Sequence, residues 1–342
     1  MKFFKILFIF VVILLLIGAG GALYIQNVLS PKSKISSKPV LFHVKAGSTM
    51  SQLSSQLLIK DLIRNPHITT YYAICRGWDR RIIPGYYFLS SDMSTTSILR
   101  KIIEGKTEKM QITIPEGYSI KQIGELLDSY NFSSQNYFNA IKNYLNQYKK
   151  SYTFLQQFTE NDTLEGYLFP DTYQMGQSED ELVNQQISRF NELIIPVWLA
   201  RPNGYPLNLK QALTLASIVE KEAQKPEERP LIAGVFFKRL FAGIPLAADP
   251  TVEYALGWHQ NEKGLTYSDV KIDSPYNTYR YKGLPPTPIC NPGVEVFKAV
   301  LNPLNTPYLY FVAKGDGSHI FSRTAREHDN AKIIVQKGKK KK

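Results

Sequence analysis

Apolar positions fall into three patterns along the chain. The first is an unbroken run: Ile6–Ile25 is twenty residues without a charge, preceded by Lys2 and Lys5. At about 1.5 Å rise per residue, such a helix spans a hydrocarbon core of about 30 Å. The pattern predicts a membrane anchor over residues 1–25. A cleaved signal peptide is the rival, because the strongest apolar part is only Ile6–Ile17 and Gly18-Ala-Gly-Gly-Ala22 offers small residues for cleavage. Apolar Leu23-Tyr-Ile25 continues the span and favours the anchor. Lys32, Lys34 and Lys38 follow it, so positive charge does not set orientation by itself. Both readings send the remaining chain across the inner membrane. Residues 26–39, with Pro31, Pro39 and four serines, read as a linker.

The second pattern is a short apolar strand, a glycine turn, a hydroxyl residue and an apolar helix face. It occurs twice, seventy residues apart, in Val44-Lys-Ala-Gly-Ser-Thr-Met-Ser-Gln-Leu53 and Ile114-Pro-Glu-Gly-Tyr-Ser-Ile-Lys-Gln-Ile123. Gly47 matches Gly117, Thr49 matches Ser119, Gln52 matches Gln122 and Leu57 matches Leu127. Thr49 and Ser119 are the expected helix N-caps. Both copies resemble the opening of the LysM-type glycan-binding module, although a strand–turn–helix without a ligand has the same local chemistry. Between the copies, Ile82–Leu89 reads as a turn and strand, and Ser97–Glu104 as a helix. Gln135–Tyr148 reads as a further helix.

The third pattern is a helical stripe. From about residue 151 a second domain is expected, to residue 335. It has a turn-rich Leu164–Tyr173, helices at 179–199 and 208–223, and short strands with Pro/Gly loops after Pro245. Tyr308–Val312 and Ser318–Ser322 flank Lys-Gly-Asp-Gly as a hairpin, and a last helix covers Ala325–Val335. The fold class is therefore α+β: an N-terminal transmembrane helix, a LysM-like region over 40–150, and a mixed α+β domain over 151–335.

Composition changes this picture little. The 342-residue chain is 12% aromatic, enough to build cores for more than one domain. Its net charge of +12 favours anionic partners, but five of those charges sit in Lys337–Lys342. The stretch 336–342 reads as a disordered basic tail. No nucleic-acid motif accompanies the charge, which excludes that partner class. Cys75 and Cys290 lie in no CxxC or Cys/His cluster, so they read as free thiols rather than zinc ligands.

Within 208–223 one residue breaks the stripe. At about 100° per residue, Leu209, Ala212, Leu213, Ala216, Val219 and Ala223 gather on one face. Glu220 falls among them, and Glu222 falls at the margin, expected toward water. A carboxyl taken out of water holds its proton more tightly and can then give it to a leaving group. Glu220 is thus a candidate general acid. The alternative is a helix-end glutamate that pairs with Arg229 or Lys238. Tyrosine- and proline-rich loops follow, with Asp249-Pro-Thr-Val-Glu253, Ser274-Pro-Tyr-Asn-Thr-Tyr279, Gly283-Leu-Pro-Pro286 and Asn291-Pro-Gly293. Aromatic faces beside amides and hydroxyls suit sugar rings, and the same loops also serve as packing devices. His319 and His328 read as structural hydrogen-bonding groups, His319 with a possible place along a groove.

Several of these segments together carry a resemblance. Glu165-Gly-Tyr-Leu-Phe-Pro-Asp-Thr-Tyr173, Leu215-Ala-Ser-Ile-Val-Glu-Lys-Glu222, Phe237-Lys-Arg-Leu240, Asp249-Pro-Thr-Val252, Ser274–Tyr279, Gly283–Pro286 and Thr306–Val312 are similar, in order and spacing, to the endolytic murein transglycosylase family. The likeness covers about residues 40–335. It implies a membrane-anchored enzyme that cuts peptidoglycan glycan strands between N-acetylmuramic acid and N-acetylglucosamine, leaving an anhydro-muramyl end. It implies Glu220 as the acid, and no metal or nucleotide cofactor. Glu165, Asp249, Asn277 and Tyr279 are the expected substrate-binding residues, each with a structural alternative as a turn- or loop-fixing group. One departure is Ala247-Ala248, where family members often carry a polar pair. The implied setting is a single-pass protein of the inner membrane with its enzymatic part outside the cytoplasm. Peptidoglycan synthases in the same membrane are expected partners, and Gly18, Ala19 and Gly21 offer a small-residue surface for helix contacts. Two rivals remain open: a hydrolytic muramidase, which needs a second carboxylate across from Glu220, and a non-catalytic glycan-binding scaffold.

Overall fold

The structure, a computed structural model, describes residues 2–339 apart from 46, 108–109, 150, 157, 160–161, 176–177 and 258–263. The chain divides into two compact units, one formed by Met1–Gln111 with Gln174–Glu181 and the other by Ile112–Tyr173 with Leu182–Lys342.

The first unit contains α1 (Lys2–Leu29), β1 (Val40–Val44), α2 (Met50–Ile59), α3 (Pro66–Cys75), β2 (Gly85–Leu89) and α4 (Thr95–Ile103). The two strands pair antiparallel, with Phe42 opposite Tyr87 and Val44 opposite Gly85. Strand alternation turns Phe42 and Val44 to one face, where Leu53 and Leu57 of α2, Ala73 of α3 and Ile98, Leu99 and Ile102 of α4 bury with them. Each buried Val, Leu, Ile or Phe among these contributes about 1.5–3 kcal/mol on leaving water.

Helix α1 stays apolar and exposed, and its stretch Phe3–Leu29 is long and apolar enough to cross a membrane. It runs past Ile25 into the expected linker. The following residues are held down. Thr95 Oγ1 donates to Val28 O at 3.4 Å, Arg64 Nη2 to Pro31 O at 2.8 Å, and Ser33 N to Ser91 O at 2.8 Å.

Next come β3 (Met110–Thr113), α5 (Ile120–Ser129), α6 (Ser134–Tyr148) and β4 (Thr172–Met175), with β3 beside β4 in a two-stranded sheet. The order strand–helix–helix–strand repeats that of β1, α2, α3 and β2. The likeness reaches the individual bonds. Thr49 N donates to Gln52 Oε1 at 2.9 Å and Gln52 N to Thr49 Oγ1 at 3.3 Å. Ser119 and Gln122 make the same two bonds at 2.9 and 3.3 Å. Each is a reciprocal capping box. The preceding glycines both have left-handed φ, +76° at Gly47 and +78° at Gly117, where a side chain would be strained. Both helices also stop alike. Asp61 and Asn131 take φ of 61° and 62°, and the next residues, Leu62 and Phe132, bond back to Leu57 O and Leu127 O at 2.9 Å.

The remaining elements are α7 (Glu179–Leu199), α8 (Leu209–Glu222), α9 (Arg229–Phe241), α10 (Asp249–Leu256), α11 (Val294–Leu301), β5 (Tyr310–Ala313), β6 (His319–Ser322) and α12 (Ala325–Lys339). Central helix α8 is buried from Ala212 to Val219 and packs against α9, α10 and α11. The predicted hairpin is present as β5 and β6. Three findings differ from expectation. The region after Pro245 was expected to hold short strands and loops, but α10 and α11 are helices. Pro250 sits in the first turn of α10, where proline is tolerated, and Gly257 closes the helix at φ 71°. Helix α9 answers to no predicted element, because its polar residues cluster at the two ends and leave no clear stripe. Helix α12 runs through Lys339, well into the stretch expected as a disordered tail, of which 340–342 lie outside the described residues.

Candidate active site

Helix α8 begins with a capping box in which Asn208 and Gln211 exchange bonds at 2.9 Å. Its far end carries Glu220, Lys221 and Glu222, which point in three directions. Ser217 and Glu220, one turn apart, share a face. That face grips the segment 289–293. Ile289 N donates to Ser217 Oγ at 3.0 Å, Cys290 Sγ to Ser217 O at 3.3 Å, and Gly293 N to Glu220 Oε2 at 2.9 Å. The glutamate in the apolar stripe is therefore matched to a buried backbone donor.

The Glu220 side chain is 7% exposed, and its Oε1 lies 3.9 Å from Arg229 Nη2. The same Nη2 lies 3.9 Å from Glu116 Oε2, whose side chain is 44% exposed. Both predicted alternatives for Glu220, the buried carboxyl and the partner of Arg229, describe one arrangement. Burial pushes the Glu220 pKa up and the charge of Glu116 adds to this, while the Gly293 N–H, Arg229 and Lys221 pull it down. The net displacement is upward. Two glycines make room. A Cβ on Gly117 would touch Glu220 Cγ at 3.4 Å, and a Cβ on Gly293 would fall 1.9 Å from Glu116 Oε1.

Glu165 lies on the other side of the 289–293 segment. It is 3% exposed and accepts from Ile120 N at 3.0 Å, Tyr254 Oη at 3.3 Å and Asn291 Nδ2 at 3.3 Å. Burial pushes its pKa up to about 8 against the bonds from Ile120 and Tyr254. Asn291 is the hub. Its Nδ2 also donates to Tyr118 O at 2.9 Å, and its Oδ1 accepts from Gly166 N and Leu168 N at 2.9 and 3.0 Å. Glu165, Lys221, Glu253 and Tyr254 line a cavity of ≈ 270 Å³.

Asp249 and Tyr279 come together, the tyrosine hydroxyl donating to Asp249 Oδ1. They wall a second cavity, of ≈ 490 Å³, together with Glu222. Glu222 was expected toward water. It is instead half-buried, with its pKa pushed up to about 8 by burial and by the charges of Asp249 and Glu253. A one-helix projection sees only its own stripe; α10, packed on the margin, supplies the other wall. Asn277 faces neither cavity. It is fully buried, its Nδ2 donates to Val270 O and Ile272 O at 2.9 and 2.8 Å, and its Oδ1 accepts from Tyr279 N at 3.0 Å. It fixes the loop that presents Tyr279. Glu220 itself lines neither cavity and faces Glu116, Arg229 and Gly293.

Sequence reasoning did not single out Glu116, Gly293 or Asn291 as site residues. Their signals were present: Glu116 precedes the repeated glycine, and the other two belong to Asn291-Pro-Gly293. His319 is buried and bonded through Nδ1 to Glu228 Oε2 at 2.6 Å. Among the described residues no group of His, Cys, Asp and Glu is arranged to hold a metal ion.

The YceG-like family matches residues 42–333. The chain belongs to the YceG-like family. Among curated relatives, this YceG-like chain is 34% identical over 329 residues to a Bacillus subtilis protein named endolytic murein transglycosylase, covering 93% of the chain and 90% of the relative. A Streptococcus pneumoniae protein of the same name is 30% identical over 94% of the chain, which spans 63% of that longer relative. A crystal structure of a yceG-like protein from Listeria monocytogenes aligns at TM-score 0.59 and 33% identity, over 86% of this chain and 99% of that one.

Proposed function

We propose that the chain is an endolytic peptidoglycan lytic transglycosylase in which Glu220 acts first as general acid and then as base. The observation that carries this is the setting of Glu220: 7% exposed, yet 2.9 Å from the Gly293 N–H and 3.9 Å from Arg229. Burial raises the carboxyl's hold on its proton, and the protonated form can give that proton to the oxygen between N-acetylmuramic acid and N-acetylglucosamine. Once the proton leaves, the Gly293 N–H and Arg229 stabilise the carboxylate. The C6 hydroxyl of the muramic acid attacks its own C1, and Glu220 takes the hydroxyl proton as the anhydro ring closes. The attack is intramolecular, so proximity replaces an activated water. Glu116 lends negative charge opposite the positive centre that develops at C1. The relatives' names support the substrate class.

The N-terminal apolar helix anchors the enzyme in the inner membrane, with the chain after Leu29 outside the cytoplasm and within reach of the synthases that extend the strand. The doubled strand–helix–helix–strand arrangement supports a LysM-like, glycan-holding role for the N-terminal copy. Asp249 and Tyr279 contact substrate, Asn277 positions Tyr279, and Glu165 holds the loops together.

Glu116 also supports a second reading, since a second carboxylate beside the acid is what a hydrolase uses. Mass spectrometry of digested strands separates the two. Anhydro ends appear if the muramic hydroxyl attacks, and reducing ends appear if water does. Glu220→Gln is expected to remove cleavage with the fold retained. Undiminished cleavage by that variant sinks the catalytic assignment.

A further inference from the structure

The cavity beside Glu222 is lined by a guanidinium that pairs directly with none of the described carboxylates, although Glu222 and Asp249 line the same cavity. Arg239 of α9 is half-buried; its Nη1 donates to Leu246 O at 2.9 Å, and its guanidinium carbon lies 5.2 Å from the centre of the Tyr310 ring. Its Nε is buried without a hydrogen-bond partner, and it forms no ion pair with a described carboxylate. His328 of α12 stacks on the same Tyr310 ring, centroids 5.3 Å apart, and its Nδ1 is likewise buried and unpartnered. Both residues line the ≈ 490 Å³ cavity, and Asp249, Tyr279 and Glu222 line it too. Buried polar groups left without partners are rare and unfavourable, and both belong to side chains that line this cavity.

The ligand's chemistry follows from the donors. A guanidinium presents a planar fork that matches a carboxylate, and an uncharged sugar ring would leave its charge unopposed. The volume suits a few residues of peptide. Tyr310 and Phe311 offer apolar surface, and the Glu222–Asp249 side accepts N–H groups. We propose that this cavity binds the free carboxylate of a peptide borne by the glycan strand, seated on Arg239 with His328 beside it. The inference rests on the peptidoglycan reading above and adds to it a recognition site for the peptide. Glu222 is two residues from Glu220 on α8, so the peptide is held at the end of the helix that carries the acid.

The test is a titration of the full chain in detergent with a wall-type tripeptide ending in a free carboxylate, and with the same tripeptide as its carboxamide. The acid is expected to bind at least about tenfold more tightly than the amide, because the charge-assisted pair is lost. Arg239→Gln is expected to reduce the affinity for the acid to that for the amide. Arg239 also holds Leu246 O, so the acid–amide comparison on the unaltered chain stands without the variant. Equal binding of the two tripeptides, or no binding at millimolar concentration, overturns the site even where the chain cuts strands normally. Discriminating binding by a chain that cuts no glycan keeps the carboxylate site but removes the strand as the source of its ligand.

Discussion

The two strand–helix–helix–strand copies differ in use far more than in structure. Gly47 and Gly117 have the same left-handed backbone, and the capping boxes behind them have the same lengths. Yet a Cβ on Gly47 would meet nothing within 4 Å, while one on Gly117 would touch Glu220. The first copy has Ala46 where the second has Glu116. In the first copy nine residues separate α3 from β2; in the second, residues 149–171 separate α6 from β4 and carry Glu165. One local design thus builds a small core in one place and a wall of the candidate site in the other. What distinguishes them is what packs against the turn.

The largest effect expected is on Glu220, the contact that only the second copy makes. Glu220→Gln is expected to lower strand cleavage by about 10²–10⁴-fold, measured as anhydro-muramyl product. Because Glu220 must begin protonated and its pKa is raised, cleavage is expected to fall as pH rises through that pKa. A rate that climbs over the same range would break the assignment.

The Glu165 insertion comes next. With a folded pKa of about 8 against 4.5 unfolded, the native state holds more protons than the unfolded state between those values. Stability from this group is full below about pH 4.5 and is lost as pH rises toward 8. Denaturant titrations at pH 5 and pH 8 are expected to show the decline, and Glu165→Gln is expected to flatten it. An unchanged slope in the variant rules this linkage out.

The glycines compare the copies directly. Gly47→Ala and Gly117→Ala are each expected to cost about 1–2 kcal/mol of stability, since both place a side chain at positive φ. Only Gly117→Ala also places a methyl in contact with Glu220, 3.4 Å from its Cγ, so its cleavage rate is expected to fall further, by up to about tenfold. Equal rates in the two variants would remove the distinction. The smallest effects are those of the caps: Thr49→Ala and Ser119→Ala are each expected to cost about 1 kcal/mol in thermal or denaturant unfolding.

Where a residue's neighbours in the chain decide its conformation, the sequence was legible. Both caps, both glycine turns, the hairpin and the stripe of α8 are of this kind. The full length of the repeat was not, because Asp61 and Asn131 share a backbone geometry without sharing a residue type, and α3 and α6 hold the same place in the order with different lengths and sequences. The stretch after Pro245 misled because proline and glycine mark helix ends as readily as loops. Asn277 stood among candidates for substrate contact by its place in a motif, and its hydrogen bonds go to its own loop.

The sequence alone determined an apolar helix long enough to span a bilayer, two turn-and-cap units, and a glutamate set within a buried stripe. Tertiary structure alone decided that Glu220 meets Gly293, Arg229 and Glu116, and that Glu222 closes a cavity rather than facing water. Backbone preference is set by steric and hydrogen-bonding contacts within a few residues. The solvation and charge around a carboxyl are set by whatever segments the fold brings to it.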